Sequence, residues 1–137
     1  MKSPYEHAQG LLKKAANDLV AARATLETRM ATDTVCFHAQ QAVEKSLKAV
    51  LALHDVAYPW RHDLGELLKL ARPLAPEITP YEERIINMTP FAVEIRYDAE
   101  FEPALPDATE TLRTAVEVHG LIDTMVKRAK PPVIGEE

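Results

Sequence analysis

Apolar residues recur at every third or fourth position over three long stretches of this chain, which places them on one face of an α-helix. The stretches run from Ser3 to Met30, from Val35 to about His54 and from Leu105 to Ala129. No proline follows Pro4 in the first stretch, and proline suits a first helical turn. The pattern predicts three long amphipathic helices. The apolar face of the first helix consists of Tyr5, Ala8, Leu12, Ala15, Leu19, Ala22 and Leu26. Its charged residues, Asp18 among them, are predicted on the other faces.

Shorter elements and breaks occupy the middle of the chain. The spacing in Leu64–Ala71 predicts a short helix, and the prolines between positions 73 and 80 exclude regular helix after it. Helical spacing resumes over Tyr81–Ile95, with a break predicted at Thr89 and Pro90. No stretch shows the alternation of a strand. The sequence therefore predicts an all-α fold, an antiparallel up-and-down bundle of about five helices.

The chain length and its punctuation predict how the bundle is bounded. A chain of 137 residues has a common size for one domain, and we expect one domain over residues 1–130. Residues 131–137 carry two prolines and no periodicity, which predicts a mobile tail. The link Ala31–Thr34 offers several side chains that can cap the second long helix.

Composition narrows the classes of partner. The net charge of -5 argues against coating nucleic acid through bulk charge and gives no indication of DNA binding, so any contact with nucleic acid must be local. The N-terminal residues lack the apolar core of a signal peptide, and no apolar run is long enough for a membrane span. We therefore expect a cytoplasmic protein without membrane contact.

The usual signatures of metal and catalytic sites are absent from the sequence. The five histidines form no pair at metal-binding spacing, and the single cysteine, Cys36, lies on or beside an apolar face. His119 stands on the apolar face of the last helix, where a histidine is usually a satisfied core or interface residue. We predict no metal, no cofactor and no catalytic residue from these patterns.

One face of the second helix carries a different signal. His38, Gln41, Lys45 and Lys48, here called the polar row, are spaced three, four and three residues apart and so project from one side. Two ammonium groups, an amide and an imidazole suit an anionic or phosphate-bearing ligand. The alternative is a solvated helix face on which Glu44 pairs with Lys48 four residues later. Spacing alone leaves both open.

Three segments in a fixed order resemble a known family. They are Phe37–Leu51 (FHAQQAVEKSLKAVL), His62–Leu64 (HDL) and Ala92–Tyr97 (AVEIRY). Together they resemble the HEPN domain, the "higher eukaryotes and prokaryotes nucleotide-binding" family, over essentially the whole chain. The resemblance implies a bundle of about five helices, frequent homodimerisation and association with nucleotides or RNA. It also implies a minimal nucleotidyltransferase as partner, in a toxin–antitoxin pair.

The resemblance adds Arg96 and Tyr97 to the ligand-binding residues of the polar row, with His62 as a further contributor. Ribonuclease members of the family use an arginine and a later histidine with four to six residues between them. After Arg96 that window holds Phe101, Glu102 and Pro103, so the motif lacks its histidine. Asp98 also stands where many relatives have proline.

Three functions remain as hypotheses. The first is a nonhydrolytic HEPN domain that binds a nucleotide or RNA phosphate. The second is a non-catalytic interaction module that uses the polar row to bind its partner and no free nucleotide. The third is a divergent ribonuclease in which His38 or His62 replaces the missing histidine.

Overall fold

The described residues of the computed structural model, 1–58, 63–92 and 97–132, form helices and no strand. Five α-helices are present in these ranges: α1 Pro4–Glu27, α2 Thr32–Leu53, α3 Leu64–Ala71, α4 Glu82–Ile86 and α5 Leu105–Arg128. Two 3-10 segments, Pro76–Tyr81 and Thr89–Ala92, flank α4. The predicted all-α bundle of about five helices is confirmed.

The second long helix lies at the centre of the bundle. Helix α2 packs against α1, α5 and α3, and no side chain from Thr32 to Ala52 is exposed. Its fully buried apolar residues include Leu47 and Leu51. Small residues on α1, such as Ala8, Ala15 and Ala22, are also fully buried, which lets the helix axes approach closely. The polar row therefore belongs to the most enclosed helix.

Cross-helix contacts define the directions of the three long helices. Asp18 on α1 meets residues 38 and 45 of α2, whereas His7 near the start of α1 meets Tyr58 beyond the end of α2. Helix α1 thus runs antiparallel to α2. His119 of α5 bonds to the Leu12 carbonyl, and Lys127 lies near Tyr5, so α1 also runs antiparallel to α5. This arrangement places one face of α1 along the polar row.

The two ends of α1 form in different ways. At the start, the Ser3 hydroxyl accepts from the Glu6 N–H, and the Glu6 carboxylate accepts from the Ser3 N–H. At the other end a short link joins α1 to α2, with left-handed backbone at Arg29 (φ 61°) and Ala31 (φ 52°). The expected side-chain cap is wrong: α2 begins already at Thr32, and its N-cap, Ala31, makes no side-chain bond. The Thr32 hydroxyl is buried instead.

The proline-rich middle differs in detail from the prediction. Proline prevents α-helix after α3 as predicted, but Pro76–Tyr81 still forms 3-10 turns, with Pro76 in the first turn, where no N–H is needed, and Pro80 inside the segment. The first of the two helical pieces predicted over Tyr81–Ile95 is shorter than its spacing indicates, since α4 ends at Ile86, and residues 93–95 lie outside the described residues. The predicted break is present as the separate segment Thr89–Ala92.

The C-terminal end of the chain is only partly described. Helix α5 ends at Arg128, and Pro131 and Pro132 are exposed and nonhelical. The predicted mobility of 131–137 falls mainly on residues 133–137, which lie outside the described residues, and the domain boundary at 130 stays a prediction. None of the helices in the described part of the chain is long and apolar enough to cross a bilayer.

Candidate functional site

The polar row is present on α2 as the spacing predicts. Its four members are half-buried, and the residues that flank them along α2 are mostly buried. Each row side chain therefore has part of its surface against protein and part against solvent. Such positions allow a polar group to be held by a neighbour and still contact a ligand.

Asp18 of α1 joins two members of the row. Its Oδ1 lies 2.9 Å from Nδ1 of His38, and its Oδ2 lies 2.5 Å from Nζ of Lys45. The carboxylate only accepts hydrogen bonds, so Nδ1 of His38 carries the proton of this bond. Nε2 is the ring nitrogen that Asp18 does not contact. The Asp18 side chain is 11% exposed, whereas that of Lys45 is 29% exposed. The anion thus lies beneath the cation.

The prediction that Asp18 lies on a polar face of α1 is wrong, because the residue is buried. Asp18 stands three residues after Ala15 and four before Ala22, which puts it on the apolar face of the helix. A carboxylate on that face was the signal that sequence reasoning missed. A charge at such a position needs a partner from a neighbouring helix.

Glu44 organises the other half of the row. Its Oε2 accepts from Nζ of Lys48 at 3.1 Å, and its Oε1 accepts from the Gln40 amide at 3.1 Å. Gln40 in turn accepts from the Gln41 amide at 2.6 Å. The predicted Glu44–Lys48 pair is therefore confirmed, but the face is not a solvated one, since the Glu44 side chain is 4% exposed.

The charges of this cluster are arranged in two layers. Asp18 and Glu44 form the inner layer, and Lys45 and Lys48 form the outer layer. Charge-assisted bonds of this kind are stronger than neutral ones and restrict long side chains. An ammonium has three donors, so one bond to a carboxylate leaves donors for an incoming group. The two lysine–carboxylate pairs together carry no net formal charge.

The last member of the row contacts an aromatic residue. Nζ of Lys48 lies 5.4 Å from the centre of the Tyr58 ring, within the range of a cation–π contact. The Tyr58 hydroxyl lies 3.3 Å from Nε2 of His7 at the start of α1. Neither aromatic residue was predicted at the site, because each lies in a segment whose sequence shows no motif.

Of the three residues added by family resemblance, Tyr97 alone is among the described residues. Tyr97 is 82% exposed. Arg96 and His62 lie outside the described residues. The structure thus brings His38, Gln41, Lys45 and Lys48 together, and the membership of the other three stays a prediction.

Two other chemically active residues have structural surroundings. Cys36 is fully buried, and burial raises the pKa of its thiol to about 11, so that the thiolate is disfavoured at neutral pH. The ring of His119 donates from Nε2 to the Leu12 carbonyl at 3.2 Å. Both match the predicted packing roles. Across residues 1–58, 63–92 and 97–132, no three metal-binding side chains cluster to hold an ion.

Comparison with known proteins identifies the class. The family model described as HEPN domain matches residues 8–125, which include the whole of α2 and most of α1 and α5. The chain belongs to the HEPN domain family. One relative, named "Putative toxin MJ1304" and found in Methanocaldococcus jannaschii, is 31% identical over 85 residues. That match covers 62% of this chain and 55% of the relative, so the chain spans about half the relative's length. No solved structure gives a significant match.

Proposed function

We propose that this chain is the HEPN component of a toxin–antitoxin-like system and that its polar row binds phosphate groups of a nucleotide or an RNA. The observation that carries this proposal is the layered arrangement of charges where α2 packs against α1. Two lysines project above two more buried carboxylates, with an imidazole and an amide in the same row. Arg96 and Tyr97, with His62 as a further contributor, complete the proposed ligand set.

The layering supports phosphate binding through preorganisation. A lysine has four rotatable side-chain bonds, and holding it in one direction is costly unless a partner does so in advance. Asp18 and Glu44 supply that partner for Lys45 and Lys48. The remaining ammonium donors can then bind a ligand with a smaller loss of lysine side-chain entropy. The relative named as a putative toxin supports a role of this chain in a toxin–antitoxin-like system.

Calorimetric titration with ATP, GTP and a short RNA tests the proposal. We expect binding by the unaltered protein and a loss of about fivefold to twentyfold in affinity for Lys48→Gln, because one charge-assisted bond is removed. Lys127→Gln is the matched control, since Lys127 forms an exposed pair with Asp123 four residues earlier on α5. It should leave affinity unchanged.

Two results would reject phosphate binding at the row. The first is no heat of binding with millimolar ligand. The second is equal weakening by Lys48→Gln and Lys127→Gln, which would indicate general electrostatics. The Arg96→Ala variant, measured in parallel, tests the residue that resemblance assigns to the site.

A second candidate is an interaction module that binds a protein partner and no free nucleotide. The specific observation in its favour is that each lysine of the row already has a carboxylate partner. A locally balanced polar surface suits hydrogen bonding to a protein as well as to phosphate. The proposed partner is a minimal nucleotidyltransferase encoded nearby, and the proposed state of this chain is a homodimer.

Coexpression with the product of an adjacent reading frame that carries a nucleotidyltransferase motif distinguishes the two candidates. Reversing Lys45 and Lys48 to glutamate should abolish the complex if the row binds protein, and added nucleotide should then have no effect. If the reversed protein still copurifies with its partner, the interaction module is rejected. Light scattering on the eluted protein measures whether it is a dimer.

One observation supports the third hypothesis, a divergent ribonuclease. A carboxylate that fixes Nδ1 of a histidine leaves Nε2 oriented for proton transfer, and Asp18 holds His38 in this way. Intact RNA after long incubation with concentrated protein would exclude this activity.

A further inference from the structure

A cleft of about 460 Å³ lies where the start of α1 meets the segment after α2. Its volume falls within the range of small-molecule sites, about 300 to 1,000 Å³. Polar and apolar side chains share its lining, which includes Lys2, His7, Ala52, Asp55, Val56 and Tyr58. None of these residues belongs to the polar row, so the proposed phosphate binding gives the cleft no role.

The cleft and the polar row share the Tyr58 ring. Tyr58 lines the cleft, and Nζ of Lys48 lies 5.4 Å from the centre of the same ring. The His7 ring, also in the cleft lining, is 6.3 Å from the Tyr58 ring and tilted by 43°. A ligand in the cleft would therefore have aromatic surface beside it and a lysine ammonium at its edge.

The start of α1 offers few free hydrogen-bond donors to a ligand in the cleft. The Glu6 N–H already donates to the Ser3 hydroxyl, and the Ser3 N–H donates to the Glu6 carboxylate. Recognition in the cleft must then rest on ring surfaces and side chains. Flat aromatic faces bind nucleobases by stacking, whatever the base, because every base has a π-face.

We infer that the ligand of this site is a nucleoside phosphate whose base occupies the cleft beside Tyr58 and His7 and whose phosphates extend along the row from Lys48 to Lys45. The two lysines are three residues apart, about 4.5 Å along the helix axis. Phosphates that leave the cleft at Lys48 would therefore reach Lys45 next. This inference rests on the proposed phosphate binding and adds the class of ligand.

Calorimetry with ATP and with inorganic tripolyphosphate separates base recognition from charge. Both ligands carry three linked phosphates, ATP adds a ribose and a base, and tripolyphosphate has one more ionisable group, so a pure charge effect would favour tripolyphosphate. We expect ATP to bind about tenfold more tightly, a typical effect of one stacked base. Tyr58→Leu should abolish the difference between the two affinities, whereas Tyr58→Phe should retain it.

The control variant is Tyr81→Leu, since Tyr81 lines a different cleft beside Glu117 and Arg128 of α5. It should retain the preference for ATP. His7→Ala, at an exposed position, gives a second test if Tyr58→Leu fails to fold, and should lower ATP affinity about threefold without affecting tripolyphosphate. Equal binding of both ligands by the unaltered protein overturns base recognition and leaves phosphate binding standing. Absence of binding by either ligand overturns both.

Discussion

At the scale of single residues, Asp18 holds groups from two positions of a neighbouring helix. It bonds to His38 and Lys45 at 2.9 and 2.5 Å while its own side chain is 11% exposed. Removing one partner from such a cluster leaves the remaining charge poorly solvated, which costs more than the net gain from forming the bond. Asp18 therefore connects the stability of the α1–α2 contact with the geometry of the polar row.

Asp18→Asn should lower the free energy of unfolding by about 1 to 2 kcal/mol, because Lys45 loses its counter-charge in a partly buried position. Asp123→Asn, which breaks an exposed pair on α5, is the control and should cost less than about 0.5 kcal/mol. Urea denaturation of the three proteins measures both. Equal losses would show that the Asp18 contacts contribute no more than a surface pair.

The buried thiol of Cys36 leads to a second prediction at the scale of single residues. Burial, with smaller contributions from Asp107 and Asp33, raises its pKa from 9.0 to about 11. The unfolded thiol ionises first, so stability from the neutral buried thiol is complete below pH 9 and is lost as the pH rises from 9 to 11. The loss is at most about 2 to 3 kcal/mol.

Cys36→Ala isolates this contribution, because other groups also titrate in alkali. The difference in unfolding free energy between the unaltered protein and the variant should be constant from pH 7 to 8.5 and shrink toward pH 11. A constant difference over the whole range would contradict a neutral buried thiol.

At the scale of elements, the α1–α2 link combines a sharp turn with unfavourable residues. Arg29 follows the C-cap of α1 with φ of 61°, a conformation in which glycine carries no steric cost. Its side chain is exposed. Helix α2 then begins without a side-chain cap. The link is therefore a place where substitution can add stability.

Arg29→Gly should stabilise the protein by about 0.5 to 1 kcal/mol, because glycine relieves the left-handed strain at the end of the helix. Arg23→Gly is the matched control, since Arg23 is exposed inside α1 and glycine there should cost about 0.5 to 1 kcal/mol. Thermal unfolding should show shifts of opposite sign. Shifts of the same sign would rule out relief of backbone strain as the cause.

The elements also show what could be predicted from sequence. Periodicity gave α1, α2 and α5, because long amphipathic helices carry many repeats of the same signal. It did not predict that the piece beginning at the Thr89–Pro90 break starts as a 3-10 segment, Thr89–Ala92, because such turns are too short to show a period. The row was predictable from spacing within one helix. Its partner Asp18 was missed, because it lies 20 residues earlier in the chain and its pairing depends on how two helices pack.

At the scale of the whole molecule, a net charge of -5 surrounds a site proposed to bind anions. Long-range attraction of RNA is therefore absent, and affinity must come from the row itself. Only two lysines of the row are available for phosphate contacts. Binding should consequently depend weakly on salt.

For a short single-stranded RNA, the logarithm of the binding constant should fall with the logarithm of salt concentration with a slope of about -1.4 from the two row lysines, and of about -2.1 if Arg96 also contacts a phosphate. Lys48→Gln should reduce the slope by about 0.7, and Lys127→Gln should not change it. Fluorescence anisotropy at several salt concentrations measures these slopes. A slope several times steeper would indicate a larger basic surface than the row.

The inner layer of carboxylates gives binding at the row an unusual character. Lys45 and Lys48 hold Asp18 and Glu44 before any ligand arrives. An incoming phosphate therefore meets ammonium groups whose charge an internal anion already partly neutralises. Simple inorganic anions gain little from such partly neutralised lysines. A ligand that also offers a surface complementary to the protein gains more, so the internal anions act as a filter against the small anions of the cell.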